Sequence, residues 1–226
     1  MEYLTSCYRQ QAGSGGFLLL QQYQCRQTPV CFACIDGEQS DKKEKLLEWA
    51  GAFAWHKAAE RPARWLSRAE EELGELFDGY QKGKLLIGIG RELLVMGEGG
   101  NVCLLNTSFG RGKLSVLPGQ FRAELEEGAG ILLATDAFMV ANDRKTLGEA
   151  LKIAEIRTEE QAQRRLEELA GQKRESGCGS REQGGSRRMA VLLIGRESAG
   201  MGTRSGSCEK SIDERFSHTR FVSART

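Results

Sequence analysis

Long apolar runs, histidine and excess charge of either sign are all scarce in this sequence of 226 residues. No stretch reaches the roughly 18 consecutive apolar residues that a membrane-spanning helix needs. The first residues also lack the basic segment and long apolar run of a signal peptide, so we expect a cytoplasmic protein with no membrane contact. The formal net charge is only +1, and no basic stripe is interleaved with aromatic residues, so nucleic acid is not an expected partner.

Histidine and cysteine give little support for a nucleophilic, zinc or redox site. The histidines are His56, in a predicted helix, and His218, near the C-terminal end, so no Cys–His or Ser–His pair is indicated. Cys31 and Cys34 form a CxxC pair, but they lie in an apolar run of strand length, and no second CxxC follows. Strand residues three apart point to opposite faces, so both cysteines are predicted to be buried core residues.

The apolar pattern alternates between groups of strands and groups of helices. Strands are predicted at residues 17–20, 30–35, 84–90, 92–96, 101–106, 113–117, 131–135 and 189–194. Helices are predicted at residues 41–54, 65–77, 146–156 and 159–170, with Pro62 between the first two. Short strands separated by glycine-containing turns favour antiparallel pairing, and the whole pattern predicts an α+β sandwich.

The domain boundary is predicted near residue 196. Residues 1–196 contain all the apolar runs and are expected to form one domain. Residues 197–226 are rich in Ser, Gly, Arg and Thr with few apolar residues. Such a segment cannot bury enough surface to offset its ordering entropy, so it is predicted to be a disordered tail.

Two aspartates stand out because each follows an apolar strand. Asp36 ends the run at residues 30–35, and Asp136 ends the run at residues 131–135. Carboxylates at strand ends can converge at one edge of a sandwich, where they would bind a hard divalent cation. Aspartate is also common as the first residue of a turn, and the spacing alone leaves both interpretations open.

Four segments around these acids resemble a known family. Residues 30–37 resemble the strand and Asp-Gly pair of the PPM-type (type-2C) metal-dependent protein serine/threonine phosphatases. Residues 91–105, 125–138 and 186–194 resemble three further elements of that family, in the same order and at similar spacing. The resemblance covers about residues 5–195. It implies two packed antiparallel sheets flanked by helix pairs.

The resemblance also implies a site that holds two Mn²⁺ or Mg²⁺ ions, whose bridging water attacks phosphorus. In that site Asp36 would bridge both ions, the carbonyl of Gly37 would join it, and Asp136 would bind one ion. Arg9 lies near the family's phosphate-binding arginine, although an exposed arginine without that role is an alternative.

The sequence departs from the family where ligands are needed. The family's closing aspartate falls on Arg187, or on Arg188 if the register slips by one residue, and its early acidic motif falls near Gly15 and Gly16. Glu98 is a partial retention of another acid. The metal site is therefore predicted to be incomplete, with one ion held by Asp36 and Asp136 in preference to two, or with none.

Three functions follow as hypotheses. The first is a weak or inactive phosphatase-like protein that binds a phosphoprotein or regulatory protein, with Arg187 and Arg188 recognising phosphate. The second is an active phosphoserine/phosphothreonine phosphatase with a rearranged site. Its missing ligands would come from acids such as Glu38, Asp41, Glu98 or Asp143. The third is an interaction domain without metal or phosphate affinity.

Overall fold

The structure is a computed structural model. It describes residues 1–10, 16–36, 42–77, 83–106, 113–117, 119–142, 147, 149, 151–171 and 188–197. Its strands are β1 (Glu2–Arg9), β2 (Phe17–Cys25), β3 (Thr28–Asp36), β4 (Gly83–Ile89), β5 (Glu92–Met96), β6 (Asn101–Asn106), β7 (Lys113–Leu117), β8 (Phe121–Glu124), β9 (Gly130–Ala134) and β10 (Met189–Arg196). Its helices include α1 (Lys42–Ala52), α2 (Trp55–Glu60), α3 (Pro62–Phe77), α4 (Asp136–Ala141) and α5 (Glu159–Gly171).

The strands form two antiparallel sheets of five strands each. The first sheet has the order β1-β10-β9-β6-β7, and the second has the order β2-β3-β4-β5-β8. Helices α1 to α3 pack on the second sheet, while α4 and α5 pack on the first. The predicted architecture of two packed antiparallel sheets flanked by helices is thus confirmed. Among the helices in these ranges, none is long and apolar enough to cross a bilayer.

Strand β3 shows how one apolar run serves two cores. Cys31, Ala33 and Ile35 face the other sheet, in the cluster between the two sheets. Phe32 and Cys34 face helices α1 to α3. The prediction that Cys31 and Cys34 are core residues on opposite faces is confirmed, since both are fully buried. Burial raises the pKa of the Cys31 thiol to about 12, so this cysteine stays protonated and unreactive.

The helix layer over the second sheet is rich in aromatic residues. The ring centroids of Trp49 and Phe53 are 4.6 Å apart, and those of Phe53 and Trp55 are 4.5 Å apart. Phe32 reaches the same cluster from β3. Helix α3 begins at Pro62 because proline fits the first turn of a helix, where its missing N–H costs nothing. This layer covers the helix-facing side of the second sheet.

Four elements lie outside the predicted ranges, namely β1, α2, β8 and α4. Strand β1 pairs along its whole length with β10, from Glu2 opposite Arg196 to Arg9 opposite Met189. Its buried residues include Thr5 and Ser6, which do not resemble a core strand in sequence. Their hydroxyl groups donate hydrogen bonds to the side chains of Gln22 and Gln163. Residues 198–226 lie outside the described residues, and the tail remains a prediction.

Candidate functional site

The ends of several strands meet at one edge of the sandwich. Asp36, at the end of β3, lies opposite Phe17 in β2 and Gly83 in β4. In the other sheet, Ala134 at the end of β9 lies opposite Asn101 at the start of β6. We call the residues Asp36, Lys84, 97–101 and Asp136 the acidic edge.

Gly100 brings the two sheets together at the acidic edge. Its φ angle is +74°, in the left-handed region that glycine adopts without strain. A Cβ atom there would lie 2.9 Å from the carbonyl oxygen of Ala134 and 3.6 Å from Cδ1 of Ile35. Ile35 directly precedes Asp36, and Ala134 lies two residues before Asp136. The backbone segments that lead to the two predicted metal ligands therefore end at the same edge of the sandwich.

Asp136 is held at the first turn of α4. Its Oδ1 accepts a hydrogen bond of 2.6 Å from Nδ2 of Asn101, and its side chain is exposed. The preceding Thr135 is fixed to β10, since its N–H donates to the carbonyl oxygen of Met189 at 3.0 Å. The N–H of Met189 in turn donates to Oγ1 of Thr135 at 3.0 Å. Asp136 therefore has a defined position at the solvent boundary.

Asp36 has a different environment, because it is fully buried. The alternation along β3 puts it in the same row as Phe32 and Cys34, the row that faces helices α1 to α3. Burial raises the pKa of the Cys34 thiol, and the nearby charge of Asp36 raises it further. The two aspartates thus reach the acidic edge from differently solvated positions. Gly37 lies outside the described residues.

Lys84 was missed by the sequence analysis, although it belongs to the acidic edge. It lies opposite Ile35 in the β3–β4 ladder and is only 3% exposed. Its Nζ donates hydrogen bonds to the carbonyl oxygen of Gly97 and, at 3.5 Å, to that of Gly119. Burial lowers the pKa of Lys84, and this effect outweighs the charges of Glu98 and Asp136, which raise the pKa. The only signal in the sequence is a lysine at the start of an apolar strand.

Two of the arginines with a predicted phosphate role, Arg9 and Arg188, have side chains that donate to different parts of the chain. Nη2 of Arg9 donates to the carbonyl oxygen of Gly16 at 3.2 Å, near the start of β2. Nη1 of Arg188 donates to the carbonyl oxygen of Ala170 at 3.3 Å, near the end of α5. Arg188 therefore lies against the helix on the outer face of the first sheet. Arg187 is not among the described residues.

A cavity of about 430 Å³ lies at the opposite end of the second sheet. It is lined by residues of the β2–β3 turn and of α2, among them Cys25, Arg26, His56 and Glu60. Because β3 begins at this end and finishes at Asp36, the cavity is separate from the acidic edge.

Comparison with known proteins rests on structure, since no family model and no curated protein matches the chain. A serine/threonine phosphatase of S. agalactiae is similar to it with a TM-score of 0.50 and 11% identity. That match covers 86% of this chain and 100% of the phosphatase. The chain has the PPM phosphatase fold.

Two further PPM domains show weaker likeness. The PP2C phosphatase domain of SpoIIE from Bacillus subtilis, with a fragment of its regulatory domain, has a TM-score of 0.49 and 9% identity over 85% of this chain and 63% of that chain. The catalytic domain of the phosphatase PstP, in complex with two manganese ions, has a TM-score of 0.45 and 13% identity over 86% of this chain and 99% of that one.

The described residues do not fit the metal pair that the resemblance to PPM phosphatases implies. No group of three or more His, Cys, Asp or Glu side chains that could hold a metal ion occurs among them. Asp136 already accepts a hydrogen bond from Asn101, and the ammonium group of Lys84 lies at the same edge. Nδ2 of Asn101 and the ammonium group of Lys84 are hydrogen-bond donors, whereas Mn²⁺ and Mg²⁺ bind oxygen atoms with free lone pairs.

Proposed function

We propose that this chain is a PPM phosphatase-like protein with an incomplete metal site. It hydrolyses phosphate esters weakly or not at all, and it acts by binding a phosphoprotein or a regulatory protein. The observation that carries the proposal is the buried ammonium group of Lys84, which donates hydrogen bonds to the carbonyl oxygens of Gly97 and Gly119 at the acidic edge.

The charge at the acidic edge opposes binding of a metal pair. Two-metal hydrolysis requires both cations close to the attacking water and to the phosphoryl oxygens. An ammonium group about 4 Å from a divalent cation would repel it by several kcal/mol at an effective dielectric constant near 20. Asp36, Glu98 and Asp136 supply three negative charges, which are too few to offset the five positive charges of two divalent ions and Lys84.

Phosphate recognition in this proposal relies on Arg9. Its guanidinium group lies beside Gly16, at the end of β1 that adjoins the first residues of β2 and β10. A guanidinium group binds a phosphate through two parallel hydrogen bonds, which suits recognition without hydrolysis. The contact of Arg188 with α5 makes it the weaker candidate. Arg187 stays a candidate from the sequence alone.

Phosphate release from a generic phosphoester, measured with and without Mn²⁺, tests the loss of hydrolysis. The Asp136→Asn variant gives the background rate, and we expect the wild-type rate not to exceed it. Mn²⁺-dependent turnover that is abolished in Asp136→Asn would contradict the proposal. It would instead support an active phosphoserine/phosphothreonine phosphatase whose missing ligands come from other acids.

A phosphopeptide library tests the binding half of the proposal. We expect Arg9→Ala to weaken binding of the selected phosphopeptides by about tenfold or more, because a charge-assisted bidentate contact is lost. The matched control is Arg26→Ala, which removes the same charge from a side chain that is 85% exposed. Equal affinities of the wild type and both variants would contradict a role for Arg9.

A further inference from the structure

A lysine side chain that is almost completely buried needs a reason. Lys84 is 3% exposed, and buried lysines are rare unless they are paired. Removing an ammonium group from water is costly unless acceptors replace the lost hydration. The surroundings of Lys84 should therefore contain groups that stabilise its charge.

Those surroundings supply both hydrogen-bond acceptors and negative charge. Carbonyl oxygens of Gly97 and Gly119 accept hydrogen bonds from Nζ. Glu98 and Asp136 are the carboxylates that act on its charge. An ammonium group that donates hydrogen bonds to carbonyl oxygens, with carboxylate charges nearby, has an oxygen-rich environment of the kind that also suits a metal ion.

The backbone around Lys84 is shaped to provide this environment. Gly97 and Gly100 have φ angles of +89° and +74°, so the turn between β5 and β6 uses conformations that favour glycine at both positions. The turn carries Glu98 and directs the Gly97 carbonyl oxygen toward Nζ of Lys84. Close packing of Gly100 on Ala134 then places this turn beside Asp136.

We propose, building on the function proposed above, that Lys84 is a built-in cation that takes the place of a divalent ion at the acidic edge. The ammonium group neutralises Asp136 and Glu98 in the folded chain, so this edge needs no metal ion for its stability. The same charge keeps Mn²⁺ and Mg²⁺ from binding there. Removal of the ammonium group should therefore create a divalent-cation site.

Binding of Mn²⁺ to the full-length protein, followed by electron paramagnetic resonance of the free ion, tests this proposal. We expect Lys84→Met to bind Mn²⁺ about tenfold more tightly than the wild type, or better, since a repelling charge is removed. The double variant Lys84→Met/Asp136→Asn should lose the gain. The thermal unfolding midpoint should rise with Mn²⁺ only in Lys84→Met.

Two control variants separate the ammonium group from other effects of substitution. Lys84→Arg keeps the positive charge, and Lys57→Met removes a charge from an exposed position in α2. Both should bind Mn²⁺ as the wild type does. Mn²⁺ binding by the wild type that is as tight as in Lys84→Met would overturn the proposal, as would no gain in Lys84→Met. Should Lys84→Met fold only with metal, refolding by Mn²⁺ supports the proposal, and failure to refold with Mn²⁺ overturns it.

These measurements remain distinct from the test of hydrolysis. A wild-type protein that hydrolyses phosphoesters, together with a gain of Mn²⁺ affinity in Lys84→Met, would overturn the proposed function and support the role of Lys84. A wild-type protein that binds Mn²⁺ tightly and does not hydrolyse phosphoesters would support the proposed function and overturn the role of Lys84.

Discussion

The middle of the sandwich and its acidic edge are built from the same strands but differ in charge. Along β3 the change takes one residue, from Ile35 to Asp36, and along β4 it takes one residue, from Leu85 to Lys84. The middle contains fully buried apolar residues, whereas the edge contains buried and exposed charges. Because the charges are confined to the strand ends, substitutions there should change the chemistry of the edge with little effect on the core.

The largest effect is expected from a change in the apolar part of β3. Phe32 is fully buried, and its ring centroid lies 5.8 Å from that of Trp49 and 6.1 Å from that of Trp55. Phe32→Ala should lower the free energy of unfolding by about 3–5 kcal/mol, because it removes buried area and leaves a cavity. Urea unfolding followed by tryptophan fluorescence measures this loss.

The matched control for Phe32 is Val140→Ala, since Val140 is 69% exposed. It should change the free energy of unfolding by less than about 0.5 kcal/mol. If the comparison between middle and edge is right, folded Phe32→Ala should also keep the weak Mn²⁺ binding of the wild type. A clear gain of Mn²⁺ affinity in this variant would show that the core and the acidic edge are coupled.

An intermediate effect is expected at the contact between the two regions. Gly100→Ala places a Cβ atom 2.9 Å from the carbonyl oxygen of Ala134, at a φ angle of +74°. The strain should lower the free energy of unfolding by about 1–3 kcal/mol. Gly74→Ala is the matched control, because its new Cβ has no neighbour within 4 Å in α3. It should stabilise the protein by up to about 1 kcal/mol, since alanine favours the helix. Equal changes in the free energy of unfolding at both glycines would show that the turn accommodates the Cβ atom without strain.

Elements with a strong apolar period were predictable from the sequence. Strands β3, β9 and β10 are nearly continuous apolar runs, and α3 has an apolar stripe at helical spacing. Their positions were confirmed. A central strand is buried on both faces and a helix on one face, and burial requires apolar residues at those positions. The ends of two apolar runs also marked Asp36 and Asp136 as candidate ligands, and their role in metal binding stays a prediction.

Other features depend on partners that are distant in the chain. Strand β1 buries Thr5 and Ser6 because Gln22 and Gln163 satisfy their hydroxyl groups, and no local pattern reveals those contacts. The role of Lys84 depends on the turn at Gly97, which the β4–β5 pairing brings beside it. The spacing of apolar runs predicted where the strands lie along the chain. Only the register of strand pairing shows which face of the sheet a charged side chain occupies.

The smallest effect is expected from a charged contact outside both regions. Arg122 of β8 donates a 3.0 Å hydrogen bond from Nε to Oε2 of Glu70 in α3, and Gln120 donates to Oε1 of Glu70. Glu70→Gln should lower the free energy of unfolding by about 0.2–1 kcal/mol at neutral pH, because both side chains are partly exposed and screened by solvent. Slight burial raises the pKa of Glu70, but the hydrogen bonds from Gln120 and Arg122 and the charge of Arg122 outweigh it and lower the pKa overall.

The sign of that pKa shift fixes how the effect of Glu70 depends on pH. A carboxyl group whose pKa is lower in the folded state stabilises the protein above its unfolded pKa, and the contribution is lost as the pH falls through the folded pKa. The difference in unfolding free energy between the wild type and Glu70→Gln should therefore be present at neutral pH and disappear as the pH falls through the lowered folded pKa of Glu70. A difference that persists at acid pH would mean that Glu70 acts through packing. A difference that also disappears in high salt would mark Glu70 as a screened surface contact, in contrast to the buried charge of Lys84.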